Sequence, residues 1–397
     1  MIKELSLNSE IFTRMVEEVL TREELEKRLK VKKQLRVKLG IDATAPDLHI
    51  GHAVNLWKMR ALQEAGHKAV IVLGDFTTQI GDPTGKSQTR PVLAPAVIKK
   101  NIAAIKKQIE QILLTSPSVY EVRKNSEWFG KMKTLEFLNL VGMVTHSQLI
   151  QRDMFQQRIK EGKEITMSEM LYPILQGYDS VMIQSDMTVI GSDQLFNEHM
   201  GRFFQERFGQ APQLIMTHKL VPGLSGGEKM SKSLGNYIGL NDSPKDKFGK
   251  AMRVLDSLIL PYLEAYTNVP LLEIEHVKED LEYGKNPMEA KLMLAEAIVA
   301  RYHGANIAHR EKEAFISVFS KGDIPDAMPE VSLRVGKWII VDLLTASKQA
   351  ASKSEARRLI EQGAVEIDGV SMQSQKETVI KKGAIIRVGK RRFVKVK

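Results

Sequence analysis

Two histidines, His49 and His52, lie three positions apart directly after a turn that contains Thr44. Imidazole N–H groups donate hydrogen bonds to phosphate oxygens, and Gly51 between the histidines lets a ligand approach the backbone. A zinc site would need further ligands, and the cysteine-free chain offers no obvious one. The residue types leave three interpretations open: an incidental pair, a zinc site and a nucleotide site.

Two lysines in a later segment, Lys229 and Lys232, form a second candidate site for phosphate. They belong to a stretch punctuated by glycines, residues 223–235, and serines lie beside them. Such a loop is expected to be mobile, and its two ammonium groups could close over a triphosphate as a cationic lid. An exposed basic loop without function would have the same composition, so this segment depends on the histidine pair for its assignment.

The elements predicted around the histidines would place them where ligands bind. A short apolar run ending near Ile41 predicts a strand, residues 53–65 predict a helix that stops at Gly66, and residues 68–75 predict a second buried strand. Strand, helix and strand form a βαβ unit, the start of a parallel sheet. Ligands bind outside the carboxyl ends of such strands, where a helix N-terminus offers free N–H groups to phosphate.

A later helix is predicted from the capping box that starts at Thr166, and three polar-tipped residues share one of its faces. Tyr172, Gln176 and Asp179 stand at positions i, i+4 and i+7, which at about 100° per residue form one stripe. The stripe could contact a polar ligand or could be only the wet side of an amphipathic helix. The pattern leaves both interpretations open.

A further carboxylate follows the next predicted strand. Residues 187–190 predict a strand that ends at Gly191, and Asp193 comes shortly after it, followed by Gln194. A carboxylate just past a strand tip, behind a glycine, suits a ribose hydroxyl. This carboxylate indicates a ribose site only in combination with the candidate phosphate-binding residues.

The composition is that of a globular protein with two or three domains. The chain has 397 residues, of which 43% are apolar and 27% charged. The absence of cysteine excludes disulfides and thiolate metal sites, and it fits a reducing compartment. The first ten residues lack the pattern of a secretion signal, and no apolar run approaches the roughly 18 residues of a membrane span. We therefore expect no membrane partner and a cytoplasmic location.

The positive charge is concentrated at the end of the chain. The net charge is +10, and residues 336–397 contain 14 Lys and Arg against 6 Asp and Glu. A small basic module of this kind indicates a polyanionic partner such as nucleic acid. A charged face that served only solubility would not need such segregation.

The remaining segments differ in their patterns. Residues 9–30 predict one or two helices, residues 244–319 are helical in pattern, and residues 321–329 contain the glycine and prolines typical of a linker. The last module predicts two helices followed by a small sheet. Its second helix carries three basic residues, Lys353, Arg357 and Arg358.

Two motifs together connect the chain to a known family. His-Ile-Gly-His at 49–52 and Lys-Met-Ser-Lys-Ser at 229–233, about 180 residues apart, resemble the two signatures of the class I aminoacyl-tRNA synthetases. The blocks at 39–52, 80–86, 172–179 and 191–194 are similar to those of bacterial tyrosyl-tRNA synthetases, and the resemblance spans essentially the whole chain. The basic module resembles a small RNA-binding fold first described in a ribosomal small-subunit protein.

The resemblance implies an α/β fold and a two-step ligase. It implies a Rossmann-like parallel-sheet catalytic domain at 1–222, a helical tRNA-binding domain on the anticodon side with the lysine loop at 223–320, a linker at 321–335 and an α+β RNA-binding module at 336–397. The enzyme would activate L-tyrosine with ATP, release pyrophosphate and transfer tyrosine to the 3′ end of tRNA(Tyr). Mg²⁺ would accompany ATP, no protein metal site is expected, and the chain would form a homodimer.

The same resemblance implies roles for individual residues. The amino group of tyrosine would contact Asp82, Tyr172 and Gln176, with Gln194 beside them and Asp179 accepting the phenol proton. The adenosine part of ATP would be lined by Gly40, Asp42, Gly51, Gly191 and Asp193. The phosphates would meet Thr44, His49 and His52 from one side and Lys229 and Lys232 from the other. The tRNA would contact Lys353, Arg357 and Arg358.

Two positions depart from the family pattern, and other functions stay open. Lys38 stands where many relatives have a tyrosine that shares the substrate hydroxyl, and Ile190 stands where glycine is commoner. The tryptophanyl relatives share both signatures, but the basic module and Asp179 count against them. An ATP-dependent nucleotidyltransferase would not need the lysine motif, and a non-catalytic RNA-binding protein on the same scaffold would not need every signature residue.

Overall fold

The computed structural model describes residues 5–31, 34–82, 93–231, 234–320, 328–372, 377–389 and 392–397. Three predicted features therefore lie wholly or partly outside the described residues: Lys232, residues 83–86 of the block at 80–86, and residues 321–327 of the predicted linker. The chain forms two compact units, Met1–Ala305 and Asn306–Lys397. Among the described helices, none is both long enough and apolar enough to cross a membrane.

A six-stranded sheet lies at the centre of the larger unit. Its strands are β1 (Val16–Leu20), β2 (Arg36–Asp42), β3 (Lys68–Gly74), β4 (Tyr120–Lys124), β5 (Met187–Gly191) and β6 (Leu214–His218). They lie in the order β1-β6-β5-β2-β3-β4, and all neighbours are parallel except β1, which runs antiparallel to β6. The predicted Rossmann-like parallel sheet is confirmed.

Fourteen helices accompany this sheet in the part of the larger unit that the structure describes. They are α1 (Glu10–Thr13), α2 (Arg22–Val31), α3 (Ile50–Glu64), α4 (Pro95–Glu110), α5 (Ser126–Phe129), α6 (Thr134–Gly142), α7 (His146–Ile150), α8 (Asp153–Lys160), α9 (Met167–Met182), α10 (Leu195–Arg207), α11 (Pro244–Ala251), α12 (Ile259–Tyr266), α13 (Leu271–Glu282) and α14 (Pro287–His303). Single 3₁₀ turns occur at Thr77–Gln79, Ser192–Gln194 and Asp256–Leu258.

The βαβ unit around the histidine pair forms as its apolar pattern predicts. On α3 the residues Leu56, Met59 and Leu62 recur at helical spacing and are buried, because this stripe faces the core. The chain leaves the helix at Gly66, whose φ of 98° suits glycine. The helix starts three residues earlier than predicted, at Ile50, where the backbone N–H of His49 donates to Nδ1 of His52 in the first turn.

Two strands of this sheet were not predicted. The segment 9–30, expected to contain only helices, includes β1 between α1 and α2. Two glutamates interrupt the apolar residues of Val16–Leu20, so no clear strand pattern is visible in the sequence. β6 is buried along its whole length, and it lies between β1 and β5. β1 depends on a partner, β6, that is distant in sequence.

The smaller unit combines helices with a small sheet, as predicted. It contains most of α15 (Ala305–Ser320), then α16 (Ile340–Ala346) and α17 (Lys353–Glu361). Its strands are β7 (Glu330–Val331), β8 (Gly336–Ile339), β9 (Val365–Ile367), β10 (Val370–Ser371), β11 (Glu377–Ile380), β12 (Ile385–Val388) and β13 (Arg392–Val396). Five of them form a sheet in the order β10-β9-β12-β13-β7, and β11 pairs with β8. β7 lies inside the segment that was expected to be a linker.

Candidate active site

A cleft opens at the carboxyl ends of the parallel strands, where β2, β3 and β5 each contribute their last residues. Within the described part of the chain, every residue predicted to bind ATP or tyrosine lines this cleft: Gly40, Asp42, Thr44, His49, Gly51, His52, Asp82, Tyr172, Gln176, Asp179, Gly191, Asp193, Gln194 and Lys229. Because the carboxyl ends of parallel strands meet at one edge of the sheet, residues distant in sequence become neighbours.

The histidine pair lies at the N-terminus of α3. The backbone N–H of His49 donates to Nδ1 of His52 at 3.3 Å, and the two ring centroids are 3.8 Å apart. Since Nδ1 of a neutral His52 accepts this bond, its Nε2 carries the proton and is a donor. The N–H groups in the first turn of a helix also favour anions. This end of the cleft is therefore suited to phosphate.

The lysine loop comes close to the start of α3. The sulfur of Met230 lies 3.8 Å from the position that a Cβ on Gly51 would occupy. The ammonium of Lys229 lies 2.7 Å from Oδ2 of Asp193, and both residues line the cleft. The two signature segments, which are about 180 residues apart in the chain, thus line one cavity.

Asp42 joins two parts of the cleft. Its carboxylate accepts hydrogen bonds from the hydroxyl of Tyr172 at 3.1 Å and from the hydroxyl of Thr77 at 2.7 Å. Burial, and then the charge of Asp42, raise the pKa of Tyr172 well above its ordinary value, so this phenol stays neutral and donates. Gly74 has no side chain here because a Cβ would collide with both Asp42 and Thr77.

Asp179 occupies a buried position in the cleft wall, and its side chain is held by two donors. Nε1 of Trp128 donates to it at 3.0 Å, and Nδ2 of Asn125 lies at 3.5 Å. Burial raises the pKa of Asp179 to about 8, although the nearby charge of Lys38 and the two hydrogen bonds oppose this shift. A buried carboxyl group of this kind can accept a hydrogen bond from the hydroxyl group of a ligand.

A row of side-chain amides connects the expected contacts of the amino group. Nε2 of Gln194 donates to Oδ2 of Asp82 at 2.9 Å. Nδ2 of Asn197 donates to the side-chain oxygens of Gln194 at 2.9 Å and of Gln176 at 2.8 Å. These contacts hold the acidic and amide groups on one side of the cleft.

Lys38 does not face the cleft. Its ammonium lies 2.8 Å from Oε2 of Glu198 and donates to the hydroxyl of Ser180 at 2.7 Å. The side chains of Lys38 and Glu198 are each 1% exposed. Ile190, the other departure from the family pattern, does line the cleft beside Gly191.

Sequence reasoning missed several residues that form the site. Asn125 directly follows β4, just as Asp42 is the last residue of β2. The position of Asn125 at the end of a strand could therefore have identified it as a site residue. Glu198 gave no such signal, because a glutamate on a helix normally faces solvent. His218 ends β6, a strand that was itself not predicted, and its ring also lines the cleft.

The three basic residues predicted to contact RNA lie in the smaller unit. Lys353, Arg357 and Arg358 are exposed on α17, whereas Leu359 and Ile360 on the other face of the helix are buried. Lys353 is 2.8 Å from Asp342, and this pair is exposed to solvent. The helix therefore presents a cationic surface.

Comparisons with known proteins agree along the whole chain. The family model for class I tRNA synthetases (W and Y) matches residues 30–320, and that for the SYY-like C-terminal domain of tyrosine–tRNA ligase matches residues 321–396. The tyrosine–tRNA ligase of Thermotoga maritima is 44% identical over 97% of this chain and 96% of that protein. That of Moorella thermoacetica is 42% identical over 99% and 96%.

Solved structures share the fold. A tyrosyl-tRNA synthetase from Archaeoglobus fulgidus, complexed with L-tyrosine, is 22% identical with a TM-score of 0.60 and covers 76% of this chain and 98% of its own. A truncated mitochondrial tyrosyl-tRNA synthetase from Coccidioides posadasii is 24% identical with a TM-score of 0.60, covering 76% and 88%. The chain belongs to the class I tRNA synthetases of the tryptophan and tyrosine group and, within it, to the tyrosine–tRNA ligases.

Proposed function

We propose that this protein activates L-tyrosine with ATP and transfers the tyrosyl group to the 3′ end of tRNA(Tyr). The observation that carries this proposal is the single cleft that holds the polar stripe of α9, the histidine pair and Lys229 together. An amino acid and a nucleotide bound in one cleft can react directly. The near full-length relatives named tyrosine–tRNA ligase support the choice of amino acid.

Tyrosine would bind along the stripe of α9. Its ammonium group would contact Asp82, Tyr172 and Gln176, with Gln194 beside them, and its phenol would donate to Asp179. The burial of Asp179 supports selection against phenylalanine, because a ligand without the hydroxyl would make no hydrogen bond to this buried carboxyl group and would fill the polar site at a cost. Lys38 would contact no substrate, since its ammonium is already bound by Glu198.

ATP would occupy the other part of the cleft. Its adenosine would lie against Gly40, Asp42, Gly51, Gly191 and Asp193. Its phosphates would lie between Thr44, His49 and His52 on one side and Lys229 and Lys232 on the other. The hydrogen-bond donors at the start of α3 support this orientation.

Mg²⁺ would enter with ATP rather than occupy a protein site. Among the described residues no cluster of three or more His, Asp or Glu side chains could hold a metal ion. The groups assigned to the phosphates are imidazoles, a hydroxyl and ammonium groups, which suit phosphate oxygens better than Mg²⁺. The ion would supply charge neutralisation to the phosphates, and the side chains would orient them.

The reaction needs no covalent intermediate with the enzyme. The carboxylate of tyrosine attacks the α-phosphorus of ATP, and the bond to the leaving pyrophosphate breaks. A terminal ribose hydroxyl of the tRNA then attacks the carbonyl carbon of the adenylate, which releases AMP. The protein contributes positioning and stabilises the negative charge that develops on the phosphoryl oxygens.

Partners outside the cleft follow from two surfaces. The exposed cations of α17 would bind the tRNA backbone, as Lys353, Arg357 and Arg358 were predicted to do. A groove in which apolar side chains such as Met143, Met182 and Phe208 lie beside charged ones such as Lys131 would be covered in a homodimer. A reaction that consumes ATP and charges tRNA would take place in the cytoplasm.

The direct experiment is amino-acid-dependent exchange of labelled pyrophosphate into ATP. Exchange is expected with tyrosine and not with tryptophan or phenylalanine, because only tyrosine would carry a phenol hydroxyl to donate to Asp179. Exchange driven by tryptophan alone would overturn the assignment. Charging of purified tRNA(Tyr) with labelled tyrosine then tests the second step separately.

A further inference from the structure

Glu198 is a buried carboxylate on α10 that lines the cleft beside the expected tyrosine site. It accepts hydrogen bonds from Nε2 of Gln176 at 2.8 Å and from Nε2 of Gln213 at 2.7 Å. The ammonium of Lys38 lies 2.8 Å from the same carboxylate. Three donors from separate elements therefore converge on one side chain that the proposed reaction does not use.

The hydrogen bonds around Glu198 can run in only one direction. A carboxylate only accepts, so Gln176 must turn its nitrogen toward Glu198, and Gln194 must turn its nitrogen toward Asp82. The oxygens of both glutamines then face Asn197, whose nitrogen donates to both. Two carboxylates at the ends of the row thus determine the orientation of every amide between them.

Lys38 is the charged partner of Glu198. Its buried ammonium, which also donates to Ser180, lies 2.8 Å from Oε2 of Glu198. Because this pair engages Oε2, the other oxygen, Oε1, is the acceptor toward Gln176.

We propose that Glu198, held by Lys38, is a positioning residue for tyrosine binding that keeps the side-chain oxygen of Gln176 available to the ammonium group of the substrate. This inference rests on the proposed contact between Gln176 and that ammonium group. The oxygen has a second lone pair beyond the one used by Asn197. A reversed amide would instead present N–H groups to a cation and repel it.

Two double variants test the proposal with the ion pair absent from both. K38M/E198Q keeps an oxygen for Gln176, and Gln213 can turn its own oxygen, which has no hydrogen-bond partner, toward the new amide. In K38M/E198M, the methionine side chain at position 198 is as long as glutamine but has no oxygen to accept a hydrogen bond from Gln176. In pyrophosphate exchange we expect the KM for tyrosine to be about tenfold higher in K38M/E198M than in K38M/E198Q. The KM for ATP and the kcat of the two double variants should agree with each other within about twofold.

A second comparison tests the same proposal if K38M/E198M does not fold. In the single variant E198Q, Lys38 competes for the one remaining oxygen, so the KM for tyrosine should rise. Adding K38M should then restore it. A merely structural pair would not be rescued in this way. As a matched control, R158M/E169Q removes another buried ion pair but should leave the KM for tyrosine unchanged.

The outcomes separate this proposal from the proposed function. If the parent enzyme shows no tyrosine-dependent exchange, the function itself is wrong. If the parent exchanges but the two double variants share one KM for tyrosine, or the KM for ATP rises in parallel, the positioning role is wrong. When Q176M is added to both double variants, K38M/E198Q and K38M/E198M should have the same KM for tyrosine, because Glu198 acts through Gln176.

Discussion

The ammonium of Lys229 lies 2.7 Å from the carboxylate of Asp193, so the lysine loop is joined to the tip of β5 across the cleft. Both residues are assigned to ATP. The Lys229 side chain is half exposed, and a solvent-exposed ion pair contributes only about 1 kcal/mol or less. ATP can therefore replace the pair at small cost, with a ribose hydroxyl on Asp193 and a phosphate on Lys229. Nucleotide binding and movement of the loop would be coupled through this contact.

Substituting Lys229 by methionine should impair activation strongly. Removal of a group that stabilises charge in the transition state typically lowers kcat by about 100-fold to 1,000-fold. The dissociation constant of tyrosine should not change, because Lys229 is assigned to the phosphates. Pre-steady-state formation of tyrosyl-adenylate gives the rate constant of activation, steady-state exchange gives kcat, and equilibrium dialysis gives tyrosine binding. K278M, at an exposed lysine on α13, is the control, and an unchanged kcat for K229M would contradict the role.

His52→Asn separates catalysis from helix capping. Asparagine can still accept the backbone N–H of His49, as Nδ1 of His52 does, but it cannot offer the Nε2 proton to a phosphate. We expect about a hundredfold loss of activation rate with little loss of stability. His52→Ala should in addition lose about 1 kcal/mol of stability. The exposed His276 provides H276N as a control; equal activity of H52N and H276N would rule out the phosphate contact.

Asp179→Asn should change how stability depends on pH. Burial raises the pKa of Asp179 from 3.8 to about 8, so folding favours the protonated form. Its contribution to stability is complete below about pH 4 and is lost as the pH rises toward 8. Asparagine does not ionise, so the unfolding free energy of D179N relative to the parent should increase across this range, by an amount of the order of a few kcal/mol.

Urea unfolding of the ligand-free protein at pH 5, 6.5 and 8 would measure this difference. D280N, which changes an exposed carboxylate on α13, should show no such trend. D179N should also weaken tyrosine binding more than ATP binding. A difference in unfolding free energy that stayed constant from pH 5 to 8 would mean that Asp179 is already ionised in the folded protein.

Neutralising the cations of α17 should affect only the second step. In the triple variant K353A/R357A/R358A, exchange of pyrophosphate should match the parent, while the KM for tRNA in charging should rise. Because each phosphate contact releases counterions, the slope of log KM against log salt should fall by roughly 2. An unchanged salt slope would place the RNA contacts elsewhere in the module.

The groove that contains Met182 and Phe208 provides a test of self-association. Met182 and Phe208 are exposed by 36% and 43%, although both are large apolar side chains. M182K/F208K should dissociate a homodimer, because two charges would be buried at the interface. Analytical ultracentrifugation at micromolar concentration should then give a monomer. Y283K, at a tyrosine that is 89% exposed and lies outside the groove, should leave the dimer intact.

The elements around the catalytic motifs were predictable because their signals are local. A capping box at Thr166 indicates the start of α9, and the spacing of Leu56, Met59 and Leu62 indicates the buried face of α3. Such patterns depend on neighbours within one or two turns. β1 escaped prediction because its pairing partner, β6, lies about 200 residues away.

The sequence by itself determined which chemistry is present: two signature motifs, a polar stripe on one helix and a basic module at the end of the chain. Only the tertiary structure decided which groups face the ligand. Lys38 resembles a substrate contact in the sequence, yet its ammonium is bound by Glu198, which lies 160 positions later. Lys229 likewise meets Asp193 only because parallel strands bring their carboxyl ends to one edge. Ion pairs and hydrogen-bond directions depend on distances through space, and the order of residues along the chain does not contain them.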